Sequence, residues 1–461
     1  YRLLLNAFSQ SPRPTRVKLG RLASAPTQVT DLVPASATAG VVYKLDFGKL
    51  GATLATYVRT VPASSSIGAE CSAIQALIQA VWPAGTAATI SAFSTPKVTL
   101  TGLTGMTLAM VGETIKLSGC ATSANNGSFV ITDFVSATSV KVNNAAGVSP
   151  DANNGALVWS VGVTVTTPSS AKVTITANQP AELFDVANWT GNLALTDQTA
   201  VGGTLATDLD AIKAEDNDWY GLGLAYNSKA YVQAGAAWVE PNLKLFAYNS
   251  SDTACGDGSS TTDVMAAIKA SAYFKTFGLY SGNELLSYSG FAWICEELPF
   301  APGSSTFALK TLRGVPVDNA VTTTQQGIIL GKNGNVYEAV AGFNVTNPGK
   351  SAAGEYVDIA FGRDWLIARL KERVFGLLVA VRKVPYTDTG VDLVVSGVKA
   401  QLQDGITATF LAADPAPVVT APKVKDIAQS DRANRLLPNV TFSATLAGAI
   451  QAVNISGTIS V

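Results

Sequence analysis

The 461-residue chain reads as a multidomain protein of mixed α/β and α+β class, with a discontinuous N-terminal α+β domain that carries a small all-β, Ig-like insertion. Three observations predict this. A single hydrophobic core rarely grows beyond about 250–300 residues, so a chain of this length divides. Between about Ser94 and Ser160, short runs rich in Val, Thr and Ile are separated by turn residues. After Gly203, helical and extended patterns alternate. The expected division is residues 1–92 with 161–202, the insert 93–160, an α/β core 203–345, and an α+β part 346–461.

The elements follow in order. A Pro-rich joint, Ser11-Pro12-Arg13-Pro14, leads into Thr15–Leu19, which reads as a strand. Ile74, Leu77, Ile78 and Val81 recur at helical spacing and predict a helix over Ala69–Val81, stopped by Trp82-Pro83. In the insert, Val98–Thr101, Thr114–Leu117, Ser128–Thr132, Ser139–Val142 and Ala156–Trp159 read as strands. Asn125-Asn126-Gly127 and Asn153-Asn154-Gly155 supply residues that tolerate the positive φ of tight turns. The flanks Thr86–Phe93 and Val161–Thr167 also read as strand, so the insert interrupts a hairpin and its two ends should lie together.

Helices are expected at Thr204–Ala214, Lys229–Val239, Asp263–Ser271 and Glu284–Glu297. Strands are expected at Trp219–Leu224, Leu243–Tyr248, Lys275–Tyr280 and Thr306–Leu312. Such αβ units joined by short loops predict a largely parallel sheet. Asp364 is read as the cap or opening of an amphipathic helix with Leu366, Leu370, Val374, Leu377, Leu378 and Val381 as its apolar stripe. Thr387–Ala400 reads as a turn and a short helix or strand, and Asp404–Ala408 as the start of a β-rich close.

The last segment, Ile450–Val461, alternates. Val453, Ile455, Ile459 and Val461 fall on one face, Asn454, Ser456, Thr458 and Ser460 on the other, and Gly457 breaks the apolar row. A terminal strand has no following turn to hold it, so it needs a neighbouring edge, either an internal strand or one in another copy.

Composition narrows the chemistry. The chain has no histidine, which removes the commonest general base and metal ligand. Cys71, Cys120, Cys255 and Cys295 lie far apart without a CxxC pair and read as free thiols of a reducing cytoplasm. Charged residues make up 14% and the net charge is −1, so no basic field addresses nucleic acid or an anionic membrane. No run approaches the roughly 20 apolar residues of a membrane span. No signal-peptide pattern opens the chain, which begins on Tyr1.

Candidate chemical motifs fall short. Gly327–Asn333 has three residues between its glycines where a P-loop has four, and Asn333 where the motif needs Ser or Thr; it reads as a turn after a strand. Gly221-Leu222-Gly223 lacks the third glycine of a dinucleotide fingerprint and reads as a close backbone contact. Glu296 and Glu297 could supply carboxylates, but adjacent residues at a helix end point apart and read as a solvated edge. Asp151, Asn153 and Asn154 read as a β-turn ahead of a calcium site. No catalytic, cofactor-binding or metal residue is assigned.

Three stretches carry a resemblance. They are Phe8-Ser-Gln-Ser-Pro-Arg-Pro-Thr-Arg-Val-Lys-Leu-Gly-Arg21; Asp216-Asn-Asp-Trp-Tyr-Gly-Leu222 with Lys275-Thr-Phe-Gly-Leu-Tyr280 and Asn333-Gly-Asn-Val-Tyr337; and Gly362-Arg-Asp-Trp-Leu-Ile-Ala-Arg369 with the closing strand. In order and spacing the chain resembles the contractile-tail sheath proteins of myovirus-type bacteriophages, through nearly its whole length outside the insert. The resemblance implies a virion protein assembled in the host cytoplasm. It would form a helical homo-oligomer of stacked six-subunit rings around a tail tube, bounded by baseplate and tail terminator proteins. It implies no cofactor, no enzymatic activity, and no nucleic-acid or membrane partner.

Sheath contraction would drive the tube through the host envelope on stored packing free energy, without ATP. Chain ends would complete neighbours' sheets, a role that suits Val453, Ile455, Ile459 and Val461. The family pattern has further sequence, including an N-terminal arm, before the part matching Tyr1–Arg21, so no N-terminal share of the exchange is assigned. The insert would lie outward. The C-terminal helix would face the tube through Arg363, Arg369, Lys371 and Arg373, whose alternative role is a solvated helix face. Two other classes fit the composition: another tail, baseplate or surface-layer subunit, and a virion-borne glycan hydrolase.

Overall fold

The computed structural model describes residues 2–49, 54–169, 171–282, 284–318, 321–454 and 456–457. The N-terminal part contains α1 (Arg2–Ser9), β1 (Val29–Pro34), β2 (Val42–Lys49), β3 (Ala55–Thr60) and α2 (Ile67–Gln79). Thr15–Leu19, expected as a strand, is irregular. It is laid on the segment holding Asp216 and Asp218 by Arg16–Asp218 (3.2 Å) and Lys18–Asp216 (2.5 Å) ion pairs instead of by a ladder. In β2, Tyr43, Leu45 and Phe47 are buried while Val42 and Lys44 are exposed, the signature of one covered sheet face. Ser66 caps α2 by accepting from the Ala69 amide at 3.2 Å, and Cys71, Ile74 and Ile78 form its buried stripe.

Six strands then close into a barrel: β4 (Ala84–Ser94), β5 (Lys97–Thr101), β6 (Thr114–Ser118), β7 (Gly127–Ser136), β8 (Ser139–Asn143) and β9 (Leu157–Val161), in the order β4-β5-β8-β7-β6-β9. The all-β insert is therefore present, but it is a closed barrel and not an Ig-like pair of sheets. The reason lies in β4. Register shifts at Gly85/Ala88 and Ile90/Ala92 bend this strand, so its first half pairs with β9 and its second with β5, joining the two edges. Alternate residues fill the interior, among them Val98, Leu100, Ile115, Leu117, Val140, Val142, Leu157 and Trp159. The two ends of the barrel meet: the Val161 amide donates to the Pro83 carbonyl at 2.9 Å. Gly162, at φ +66°, lies so close under Trp82 that a Cβ would sit 2.0 Å from the ring.

The chain returns through β10 (Val163–Ser169), β11 (Lys172–Ala177), β12 (Phe184–Ala187) and β13 (Leu193–Asp197). These complete two antiparallel sheets, β10-β11-β1-β13 and β12-β2-β3, around a core shared with α2.

Next come α3 (Leu205–Glu215), β14 (Gly221–Leu222), α4 (Lys229–Val239), β15 (Leu245–Ser250), α5 (Val264–Ala270), β16 (Thr276–Tyr280) and α6 (Ser289–Glu297). The β14-β15-β16 sheet is parallel, as the alternation of helix and strand predicts. Every residue of β15 is buried; Phe246 and Tyr248 enter the core lined by α4, while Leu245 and Ala247 enter the one lined by α6. Gly221 and Gly223 do mark close contacts: added Cβ atoms would press on Leu298 at 2.6 Å and Phe291 at 2.1 Å.

Thr306–Leu312 is not a strand. Its groups are spent singly, with the Leu309 amide on the Thr346 carbonyl at 2.7 Å and the Phe307 carbonyl accepting from the Trp293 indole at 3.0 Å. The Gly327 segment is not a turn after a strand either, but the end of helix α7 (Thr323–Gly331), which Thr322 and Gln325 start as a capping box. A hairpin, β17 (Val336–Val340) and β18 (Phe343–Asn347), precedes the C-terminal elements α8 (Val357–Ala380), α9 (Asp388–Thr407), β19 (Val418–Thr420), α10 (Gln429–Ala433) and β20 (Thr441–Ser443).

Candidate functional site: the C-terminal helical pair and arm

α8 and α9 form an antiparallel pair: Gly397 faces Leu377, while Arg373 reaches Gln401 at 3.0 Å and also pairs with Asp404. The root of α8 is buried and its far end is not. Val357, Ala360, Gly362, Asp364 and Leu366 are buried, whereas Phe375, Leu378 and Val379 are exposed, Phe375 at 68% and Val379 at 67%. Asp364 does not cap this helix; it sits inside it. Its Oδ2 accepts from the Tyr220 hydroxyl at 3.0 Å and lies 3.5 Å from the buried Lys275 ammonium, tying α8 to the first and third strands of the parallel sheet. Burial, the Asp364 charge and the hydrogen bond all push the Tyr220 phenol up.

The four cations expected to face the tube differ in what they contact within the chain. Arg369 pairs with Glu372 at 2.7 Å, and Arg373 is engaged with α9. Arg363 stacks over Phe274 at 4.1 Å. Of the four, Lys371 alone has neither an ion pair, a hydrogen bond nor a ring contact among the described residues. Four, three and one residues further along, Phe375, Leu378 and Val379 continue its face as an exposed apolar strip.

The arm follows β20. Thr445 and Ala447 are tied to Ala412 and Phe410 by backbone hydrogen bonds of 2.8 and 3.0 Å. Beyond that, Ile450 is 85% and Val453 71% exposed, and residues 448–454 lie in no strand. Ile455, Ile459 and Val461 lie outside the described residues. The neighbouring β19-β20 ribbon is short, with Val418 and Phe442 exposed.

The other chemical candidates serve the framework. Glu296 and Glu297 are buried, not solvated, because α6 ends against the loop that follows it. Glu296 accepts from the Ser11 amide at 3.2 Å, and Glu297 lies 3.6 Å from the Lys310 ammonium. Burial pushes the Glu297 carboxyl up to about 7 against the pull of Lys310. The raised folded-state value means that the native state holds a proton which the unfolded chain releases. Stability is thus lost between about pH 4.5 and 7, on the order of 3 kcal/mol in all. Glu297→Gln is expected to flatten that loss in thermal melts taken from pH 4.5 to 8; an unchanged pH profile would count against the assignment.

Lys332 does not face a phosphate. Its ammonium donates to the Ala254 and Asp257 carbonyls and to Asp263, at 3.0, 2.9 and 2.7 Å. Asp151 is the hub of its turn, accepting from the Ala121, Thr122 and Asn153 amides and the Asn125 side chain. Although burial opposes ionisation, these donors hold its carboxyl well below the usual range. All four cysteines are free and buried. Among the described residues no three His, Cys, Asp or Glu side chains converge as metal ligands, and no helix is long and apolar enough to cross a membrane.

Residues 357–414 match the family model described as the C-terminal domain of E217 tail sheath protein gp31-like proteins. The sheath resemblance read from the sequence is borne out by this match. No curated protein matches the chain. Similar solved structures include these three. One is from the anti-feeding prophage baseplate, with TM-score 0.42, 15% identity, 56% of this chain and 74% of that one. The second is the sheath complex of the extracellular contractile injection system PVC in its contracted state, with TM-score 0.41, 14% identity, 55% and 74%. The third is the sheath tail protein of Desulfitobacterium hafniense, with TM-score 0.36, 11% identity, 84% and 88%.

Proposed function

We propose that the chain is the structural subunit of a contractile tail sheath, which polymerises as stacked rings around a tail tube and contracts to drive that tube through a host envelope. The observation that carries this is the tail-sheath match over α8 and α9, the pair rooted on the α/β core through Asp364. The work is mechanical. Subunits are assembled in an extended, metastable packing and released into a tighter lattice, so stored contact free energy replaces a nucleotide motor.

In this reading the arm from Gly448 onward is handed to a neighbouring copy. Ile450 and Val453 are uncovered in the single chain, and a two-stranded ribbon such as β19-β20 is marginal until further strands join it. The tube contact falls on the far end of α8. Lys371 and the strip Phe375, Leu378 and Val379 supply it, because Arg369 and Arg373 are already paired. The barrel lies outward, and baseplate and terminator proteins bound the polymer in the virion.

Deleting Ala449–Val461 is expected to leave a folded chain that forms no cylinders in negative-stain images. Normal sheaths from that truncation would overturn the exchange reading.

A further inference from the structure

We propose that the arm is latched onto its own subunit by Gln451, and that this latch restrains its transfer to a second copy; the proposal rests on the exchange reading above. Among the described residues the last backbone hydrogen bond of the arm is made by Ala447. Four residues later the Gln451 side-chain amide donates to the Thr306 hydroxyl at 3.2 Å, which returns the arm to the loop between α6 and α7. That loop is itself pinned, since the Thr409 hydroxyl donates to the Gly303 carbonyl at 2.8 Å.

A threonine hydroxyl carries two lone pairs and can accept an incoming N–H whichever way its own proton points. The charged groups around this node are Asp358 on α8, Lys310 on the loop, and Glu297 and Glu296 at the end of α6.

The latch is weak by construction. Ile450 and Val453 flank Gln451 and remain exposed, so neither side chain is buried by the parked arm. One net hydrogen bond shifts an equilibrium by about fivefold. Burying an aliphatic side chain against a second copy shifts it by roughly tenfold or more for each residue. A neighbour's sheet therefore displaces the latch, while an isolated subunit keeps its arm at home, away from premature pairing.

The test is the rate of polymerisation of the full-length chain by light scattering, for Gln451→Met and Thr306→Val beside the parent and the Ala449–Val461 deletion. Both substitutions remove the bond and keep side-chain size, and Gln451 lies on the arm, where replacement spares the core. The expected result is assembly about fivefold faster in each variant, with unchanged melting of the monomer. Parental or slower rates in Gln451→Met, with assembly abolished by the deletion, would overturn the latch alone. Normal assembly of the deletion would overturn the exchange reading and the latch with it.

Discussion

Asp364→Ala is expected to destabilise the protein by about 3–5 kcal/mol and to loosen α8 at its root, because it strips the buried Lys275 ammonium of its carboxylate. It also leaves the Tyr220 hydroxyl without its acceptor. Both partners lie on the parallel sheet, so the loss falls on the joint between the core and the helical pair. Hydrogen exchange across Val357–Leu370 should accelerate in the variant while the barrel strands keep their protection. Asp364→Asn keeps an acceptor for Tyr220 and loses only the charge, so it should fall between variant and parent. On the proposed sheath function, a chain with this joint slackened should assemble poorly even where it still folds. Unchanged exchange in α8 would refute the joint.

Trp293→Ala is expected to cost a similar amount, about 3–5 kcal/mol, by opening a cavity between α6 and the parallel sheet. The indole is fully buried. It meets Phe277 edge-on at 5.1 Å and Phe307 at 6.0 Å, and donates to the Phe307 carbonyl at 3.0 Å. Because that bond organises the loop running through Thr306, the damage should spread from the core to the foot of the arm. Trp293→Phe retains most of the ring and loses the donor, and should recover the greater part of the stability in denaturant titrations. Equal losses in the two variants would place the energy in the hydrogen bond and not in the packing.

Local sequence carries the structure in several elements where one period dominates. Lys229–Val239 is helical over the bounds its spacing predicts, and the barrel strands fall on the Val- and Ile-rich runs. α9 was hidden because Gly390, Gly397 and Gly405 dilute its helical signal. In the fold each is a contact point, and at Gly390 a Cβ would lie 1.9 Å from the Pro385 carbonyl oxygen. Packing reverses the meaning of those glycines. The same holds for charge. Glu297 and Asp364 look like surface residues in a helical pattern, and only the loop and sheet brought against them make them buried.

The candidate site divides along the same line. Alternation alone predicts an extended arm, and apolar spacing alone predicts an amphipathic helix at α8, because both are properties of neighbours along the chain. The tail-sheath likeness, too, is carried by short stretches in order. Which cations of α8 remain unpaired, where α8 is rooted, how the barrel closes, and that Gln451 comes back to Thr306 depend on residues far apart in sequence. Those pairings are decided by which surfaces the tertiary structure brings within hydrogen-bonding or contact distance, and no local period encodes them.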